Sequence, residues 1–311
     1  MGPGAPSLEQ MSVPAVTLVT GRARVTRVSA YVALTKPQII ELLLVTTLPA
    51  MIVAKRGLPS PWLMVATLVG GALAAGGANA INMVVDRDID KVMHRTRNRP
   101  LVTGVLTPRA ALIFALALEA VAFAELWLAV NLLSAVLAVS ATAFYIFVYT
   151  LWLKRTSSQN IVIGGAAGAV PVLVGWAAVT NSLTWAPLVM FAVIFIWTPP
   201  HFWALAVKYK DDYEAAHVPM LPVVATFKRT AAEIVAYTVA LVAVTLVLAP
   251  VAHLGVIYIA SAAVLGAGFL VLTVRLWRSV TPKASMAVFR YSITYLTLLF
   301  VAMAVDVLVA H

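Results

Sequence analysis

The chain of 311 residues contains no cysteine, which excludes disulfides, thiolate metal ligands and a cysteine nucleophile. It is also poor in charge: only 11% of its residues are Asp, Glu, Lys or Arg, and the 12 acids are outnumbered by 22 bases. No hydrophilic stretch approaches the length of a soluble domain. What fills the chain is apolar, with 62% hydrophobic residues and a mean hydropathy of +0.96. An ordinary soluble domain cannot carry that composition, so the chain reads as a polytopic membrane protein embedded in a lipid bilayer.

Apolar runs of about 20 residues, enough for a hydrocarbon core of about 30 Å, recur along the chain. Nine all-α spans are expected at 38–54, 61–82, 109–129, 132–152, 160–179, 186–206, 232–251, 254–274 and 286–308. The third and fourth are separated only by Asn131 and Ser134. With this arrangement all of the Lys and Arg residues except Lys55 and Arg56 fall on one side. By the positive-inside rule that side is cytoplasmic, together with the N-terminus. The formal charge of +10 then follows from topology and requires no nucleic-acid partner. Residues 1–30 have no signal-peptide character and read as a disordered cytoplasmic tail, leaving 31–311 as a single transmembrane domain.

Charge concentrates after the second span, in Asn82-Met83-Val84-Val85-Asp86-Arg87-Asp88-Ile89-Asp90. On a helix Asn82, Asp86 and Asp90 are separated by four residues each, so successive oxygens turn by only about 40° and share one face, while Asp88 points away. Isolated acids at a helix end are commonly just solvated. A cluster of them repels itself unless a cation is present, and hard oxygen ligands without cysteine suit Mg²⁺ better than Zn²⁺. Arg95 and Arg99 follow directly, so the stretch reads as a site for Mg²⁺ and a polyphosphate.

A second polar connection, 207–231, holds Lys208, Lys210 and the adjacent acids Asp211 and Asp212. These could hold a second Mg²⁺ on the same diphosphate. Upstream, Pro199-Pro200 is expected to break the sixth span beside His201 and Trp203. Lys154, Arg155 and Asn160 cluster between the fourth and fifth spans. Gly70, Gly71, Gly76 and Gly77 thin one flank of the second span, for close helix packing or a bulky ligand. Glu41, Glu119 and Glu125 fall within spans, with no role readable from sequence.

The run from Asn82 to Asp90, with Arg95-Thr96, Arg99-Pro100-Leu101 after it, resembles the first aspartate-rich motif of the UbiA superfamily of intramembrane prenyltransferases. Thr35-Lys36-Pro37, Tyr149-Thr150-x-x-Leu153-Lys154-Arg155, Asn160 to Gly165, Gly175-Trp176, Thr198 to Trp203 and Asp212 to Pro222 stand in the order seen in its haem-farnesylating branch. The resemblance covers about residues 33–305. It implies a nine-helix bundle around a central cavity open to the cytoplasm, in a bacterial plasma membrane. It implies farnesyl diphosphate and haem B as substrates, haem O as product, and a possible complex with a downstream haem-modifying enzyme. Carried onto this chain, it implies Asn82, Asp86, Asp90 and Asp212 as catalytic, with Asp211 a further metal ligand. Arg95, Arg99, Lys154 and Lys208 would bind the diphosphate, and His201 and Trp203 the haem. The wider superfamily often spaces the acids of its second motif by one helical turn, whereas here they are adjacent. A prenyltransferase of a quinone precursor is the nearest alternative. A transporter would also carry intramembrane acids and Pro-broken helices, though nearer mid-membrane.

Overall fold

The computed structural model describes residues 26–279 and 281–310, without the side chains of 38–44. The stretch 1–25, most of the expected tail, lies outside the described residues, and Arg27–Thr35 already forms helix α1. The described residues form helices joined by turns, with no strand among them. The long elements are α2 Pro37–Lys55, α3 Pro61–Val85, α5 Pro108–Ala129, α6 Leu132–Ala143, α8 Asn160–Thr180, α9 Trp185–Lys208, α12 Phe227–Val251, α13 Val256–Arg278 and α14 Pro282–Ala310. A π-helical segment, Phe144–Leu153, and the short α7 Lys154–Thr156 continue α6. Short helices α4 Arg87–Val92, α10 Lys210–Ala215 and α11 Leu221–Val224 lie in the two polar connections.

Eight helical stretches among the described residues are long and apolar enough to cross a membrane, counting 132–156 as one. With α2, whose described apolar part is Val45–Lys55, they agree with the nine expected spans. One local device starts many of them. Ser60 and Thr107 each precede a proline and accept the amide of the third residue on, Leu63 at 3.3 Å and Ala110 at 3.2 Å. The hydroxyl caps an orphan donor while proline occupies the position that needs none. Asn131 separates α5 from α6 in the same way, accepting Ser134 N at 2.8 Å. Its Nδ2 also donates to Ala177 O at 2.8 Å, tying this turn to α8.

Two expectations need correcting. Pro199 and Pro200 do not break the sixth span: α9 runs unbroken through them, and both are buried. Packing of α9 between α8, α12 and α14 outweighs the missing amide donors, as surrounding helices can for membrane prolines. The fourth span does not end as a regular α-helix either, because its last ten residues are wound with the wider π period.

On the side opposite the basic connections, Arg56 donates to Ala252 O at 2.6 Å and His253 O at 3.2 Å, closing the C-terminus of α12. Buried Asp306 of α14 accepts Gly255 N at 2.5 Å and Tyr258 N at 3.2 Å at the start of α13. A carboxylate at a helix N-terminus and a guanidinium at a C-terminus both complement the helix dipole. The core runs through α8, α9, α12, α13 and α14, with Trp203, Tyr258, Phe269, Tyr295 and Phe300 almost wholly enclosed.

Candidate active site

The bundle brings the ends of α3, the π segment and α7 together on the basic face. Although α3 stops at Val85, the backbone bonds Asp86 N to Asn82 O and Asp90 N to Asp86 O, both 2.8 Å, carry the helical register across the break. Asn82, Asp86 and Asp90 therefore share one inward face, buried to 3%, 0% and 3% exposure. Asp88 turns outward with a side chain 64% exposed, as the spacing predicts.

Each inward acid meets a cation. Asp86 Oδ2 is bound by Lys154 Nζ and by Asn82 Nδ2 at 2.7 Å. Arg155 Nη2 stands 3.8 Å from Asp86 Oδ1 while gripping Asp88 at 2.7 and 2.8 Å. That grip holds the Asp88 carboxyl down to about 2. Asp90 is held by Arg99 Nη1 at 2.8 and 2.6 Å. Lys36 Nζ donates to Asn82 Oδ1 at 3.3 Å. Burial, and then the Arg99 and Lys154 charges, push the Lys36 ammonium down to about 7, with Asp90 and Asp86 opposing them. Arg99 and Lys154 balance the two inward carboxylates, and Lys36, when protonated, adds positive charge that a multivalent anion would balance.

Among the described residues no three acidic or histidine side chains converge on one point. The donor set nonetheless fits a hard cation. Asp86 Oδ1 is buried without a hydrogen-bond partner, and so are both polar atoms of the Asn160 carboxamide at the start of α8. Orphaned oxygens of this kind cost free energy unless a ligand completes them.

The second acidic point joins the first through its backbone. Asp212 Oδ1 and Oδ2 accept the amides of His94 and Arg95 at 3.3 and 3.2 Å, whereas Asp211 is exposed. Arg95 and Lys208 meet over one ring, their charges 5.6 and 5.2 Å from the centre of Tyr209. The expected diphosphate ligands thus form two groups, Arg99 and Lys154 on the inward acids, and Arg95 and Lys208 at Tyr209.

His201 and Trp203 do not meet. His201 faces α14, with Nδ1 2.7 Å from Ser292 Oγ. Trp203 packs edge-on to Tyr237 of α12 at 5.3 Å and lines a cavity of about 160 Å³ with Arg229 and Glu233. Two residues along a helix turn the side chain by about 200°, so the pair cannot share a face.

Sequence reasoning placed Lys36 and Thr150 in motifs but gave neither a role in the site. Lys36 counted toward topology and stood in the Thr35-Lys36-Pro37 motif without a role; it lies in a left-handed turn, φ 51°, just before Pro37. Thr150 Oγ1 receives Asn82 Nδ2 at 3.2 Å and donates to Tyr145 O at 2.8 Å. The five-residue step from Thr150 to Tyr145 belongs to the π winding, which a 3.6-residue period misplaces. Glu119 and Glu125 face glycines of α3: a Cβ on Gly77 would lie 2.6 Å from Glu119 Oε1, and one on Gly70 2.1 Å from Glu125 Oε2. The small residues are there for close packing. Glu41 lies outside the described side chains.

The sequence profile of the UbiA prenyltransferase family matches residues 43–302. Among similar proteins, protoheme IX farnesyltransferase 1 of Saccharopolyspora erythraea is 57% identical over 281 residues, 89% of each chain. Protoheme IX farnesyltransferase of Renibacterium salmoninarum is 53% identical over 285 residues, 90% of each. Among solved structures, one concerned with digeranylgeranylglyceryl phosphate synthase superposes with a TM-score of 0.75 at 14% identity, covering 90% of this chain and 98% of that one. A UbiA homologue from Archaeoglobus fulgidus bound to GPP and Mg²⁺ superposes with a TM-score of 0.63 at 18% identity, covering 89% and 100%. At such identities the structural likeness speaks for the fold.

Proposed function

The chain belongs to the UbiA prenyltransferase family, and from that premise we propose that it transfers a farnesyl group from farnesyl diphosphate to a vinyl group of haem B, forming haem O. The observation that carries the reading is an inward Asn82, Asp86 and Asp90 face ringed by Lys36, Arg99 and Lys154, in a chain 57% identical to a haem farnesyltransferase.

Asn82, Asp86 and Asp90 would hold Mg²⁺, and Asp212 with Asp211 a second ion, whose charge supports departure of the diphosphate oxygens. Lys154 and Arg99 stand where they can exchange a carboxylate for a diphosphate oxygen, and Arg95 and Lys208 bind its outer end. When the allylic C–O bond breaks, its electron pair leaves with diphosphate. The vinyl carbon bonds the farnesyl carbon, and water adds to the adjacent carbon with loss of a proton. The surrounding apolar helices exclude other water from the cation. His201 contacts the haem. Trp203, on another face of α9, lies outside that contact.

The basic face supports a site at the cytoplasmic side of a bacterial plasma membrane. The helices from α1 onward act as one domain and pass haem O to a downstream haem-modifying enzyme.

Membranes carrying the full chain, supplied with haem B, farnesyl diphosphate and Mg²⁺, are expected to yield a haem product of the mass of haem O. Chelation of Mg²⁺ or Asp86→Asn should lower the rate by about 10²-fold or more. Prenylation of an aromatic quinone precursor, with haem left unaltered, would overturn the reading.

A further inference from the structure

We propose that the groove between α1 and α5 holds an acyl chain of an anionic phospholipid, with the lipid phosphate between Arg27 and Arg109, and that this lipid restrains the turn that carries Lys36. The groove is separate from the acidic face, and the proposal does not depend on which acceptor is prenylated.

Helix α1 is nine residues long. A helix of that length has little stability of its own, so packing must supply it. Its only buried residues are Ala30 and Leu34, in a cluster with Ala80 of α3 and Ala111 of α5. Val28 and Val32, also one turn apart, form a second apolar stripe with 74% and 52% exposure. With Tyr31 and Thr35, that stripe makes one wall of a groove of about 580 Å³, whose other wall is Ala110, Ile113 and Phe114 of α5. None of these side chains is charged. Ile113 is itself exposed, so the groove opens onto the lipid-facing side of α5, where an acyl chain can enter sideways.

The two helices run side by side in the same direction. Tyr31 lies 4.9 Å from Phe114, and one turn on, Thr35 Cβ and Leu118 Cδ1 come within 3.2 and 3.7 Å of the point where a Cβ on Gly76 would stand. One turn back, Arg27 is therefore level with Ala110 and its neighbour Arg109. Arg27 shares a helix face with Tyr31, and Arg109 with Ile113. Both arginines are exposed, and among the described residues neither is paired with an acid. Two unpaired cations at the mouth of an apolar groove, on the face where basic residues gather, complement a lipid with a net negative headgroup. A zwitterionic lipid would bring its own cation toward the two guanidinium groups.

The groove reaches the acidic face through Thr35. The Thr35 carbonyl accepts Asn79 Nδ2 at 3.3 Å. The next residue, Lys36, stands at φ 51° with its Nζ 3.3 Å from Asn82 Oδ1. A lipid that fills the space between α1 and α5 thus steadies the backbone from which Lys36 reaches Asn82.

The test places the full chain in nanodiscs of phosphatidylcholine, alone or mixed with phosphatidylglycerol, with trace lipid of either kind carrying a diazirine in its acyl chain. In wild type, crosslinks to α1 and the start of α5 should favour the phosphatidylglycerol probe by about tenfold or more. Added phosphatidylglycerol should slow amide exchange through α1 to Lys36 by about tenfold. Arg27→Gln with Arg109→Gln should abolish the preference and leave both probes crosslinking equally. Val32→Trp, which fills the groove from an exposed position, should exclude both probes and slow α1 exchange in phosphatidylcholine alone. Equal crosslinking by the two probes in wild type, or a preference that survives the loss of both arginines, would overturn the headgroup contact. Exchange in α1 that is indifferent to the lipid would overturn the restraint on Lys36. None of these readouts uses turnover, so their failure is distinguishable from failure of the reaction proposed above.

Discussion

Lys154→Met tests the electrostatic account of the site most directly, because it deletes one charge and keeps most of the side-chain stem. The Asp86 side chain has 0% exposure, so its carboxylate cannot recover hydration when the ammonium goes. It keeps Asn82 Nδ2 at 2.7 Å and Arg155 at 3.8 Å, the latter already shared with Asp88. Breaking a buried ion pair by removing one partner costs about 3–5 kcal/mol. A guanidinium near 4 Å returns part of this, so the expected loss is about 2–4 kcal/mol. Asp86→Asn strands only Lys154, which is 16% exposed and can turn its amine toward water, so its expected cost is about 1–2 kcal/mol. The double variant has neither charge and should be no less stable than Lys154→Met alone. Unfolding by SDS titration in mild detergent, at neutral pH with a chelator, measures all three. A Lys154→Met chain within about 0.5 kcal/mol of wild type, or a double variant that simply sums the two losses, would refute the reasoning.

Gly77→Ala should cost about 1–3 kcal/mol in the same unfolding assay, because its Cβ would lie 2.6 Å from Glu119 Oε1 and 3.0 Å from Ala115 O. Gly71→Ala, with nothing within 4 Å, should be neutral or gain up to about 1 kcal/mol from helix propensity. Arg99→Lys keeps the charge but loses the two-oxygen grip on Asp90, and should raise KM for farnesyl diphosphate about tenfold in a steady-state assay. Asp212→Ala removes the acceptor of the His94 and Arg95 amides, and faster hydrogen exchange at those two amides should report it.

The acidic face was legible because it needs only the 3.6-residue period and a count of charges. It survives the stop of α3 at Val85 because the bonds from Asp86 and Asp90 preserve the register. The cations were legible as residues but not as partners. Lys154 reaches Asp86 across 68 positions of chain, and Lys36 reaches Asn82 across 46. No local pattern encodes such pairings. Period-based reading also failed where the period changes, in the π segment that brings Thr150 to Asn82, and at Pro199-Pro200, where neighbouring helices override the local preference to break.

By itself the sequence determined the membrane class, the spans, the side on which charge gathers and the family, because these depend on composition, run length and local order. The tertiary structure alone decided which cation neutralises which acid, and that His201 and Trp203 serve different faces of α9. It alone decided that Ser292, 91 residues away, lies 2.7 Å from Nδ1 of His201. Those outcomes depend on distances between helices that meet only when their apolar faces have packed.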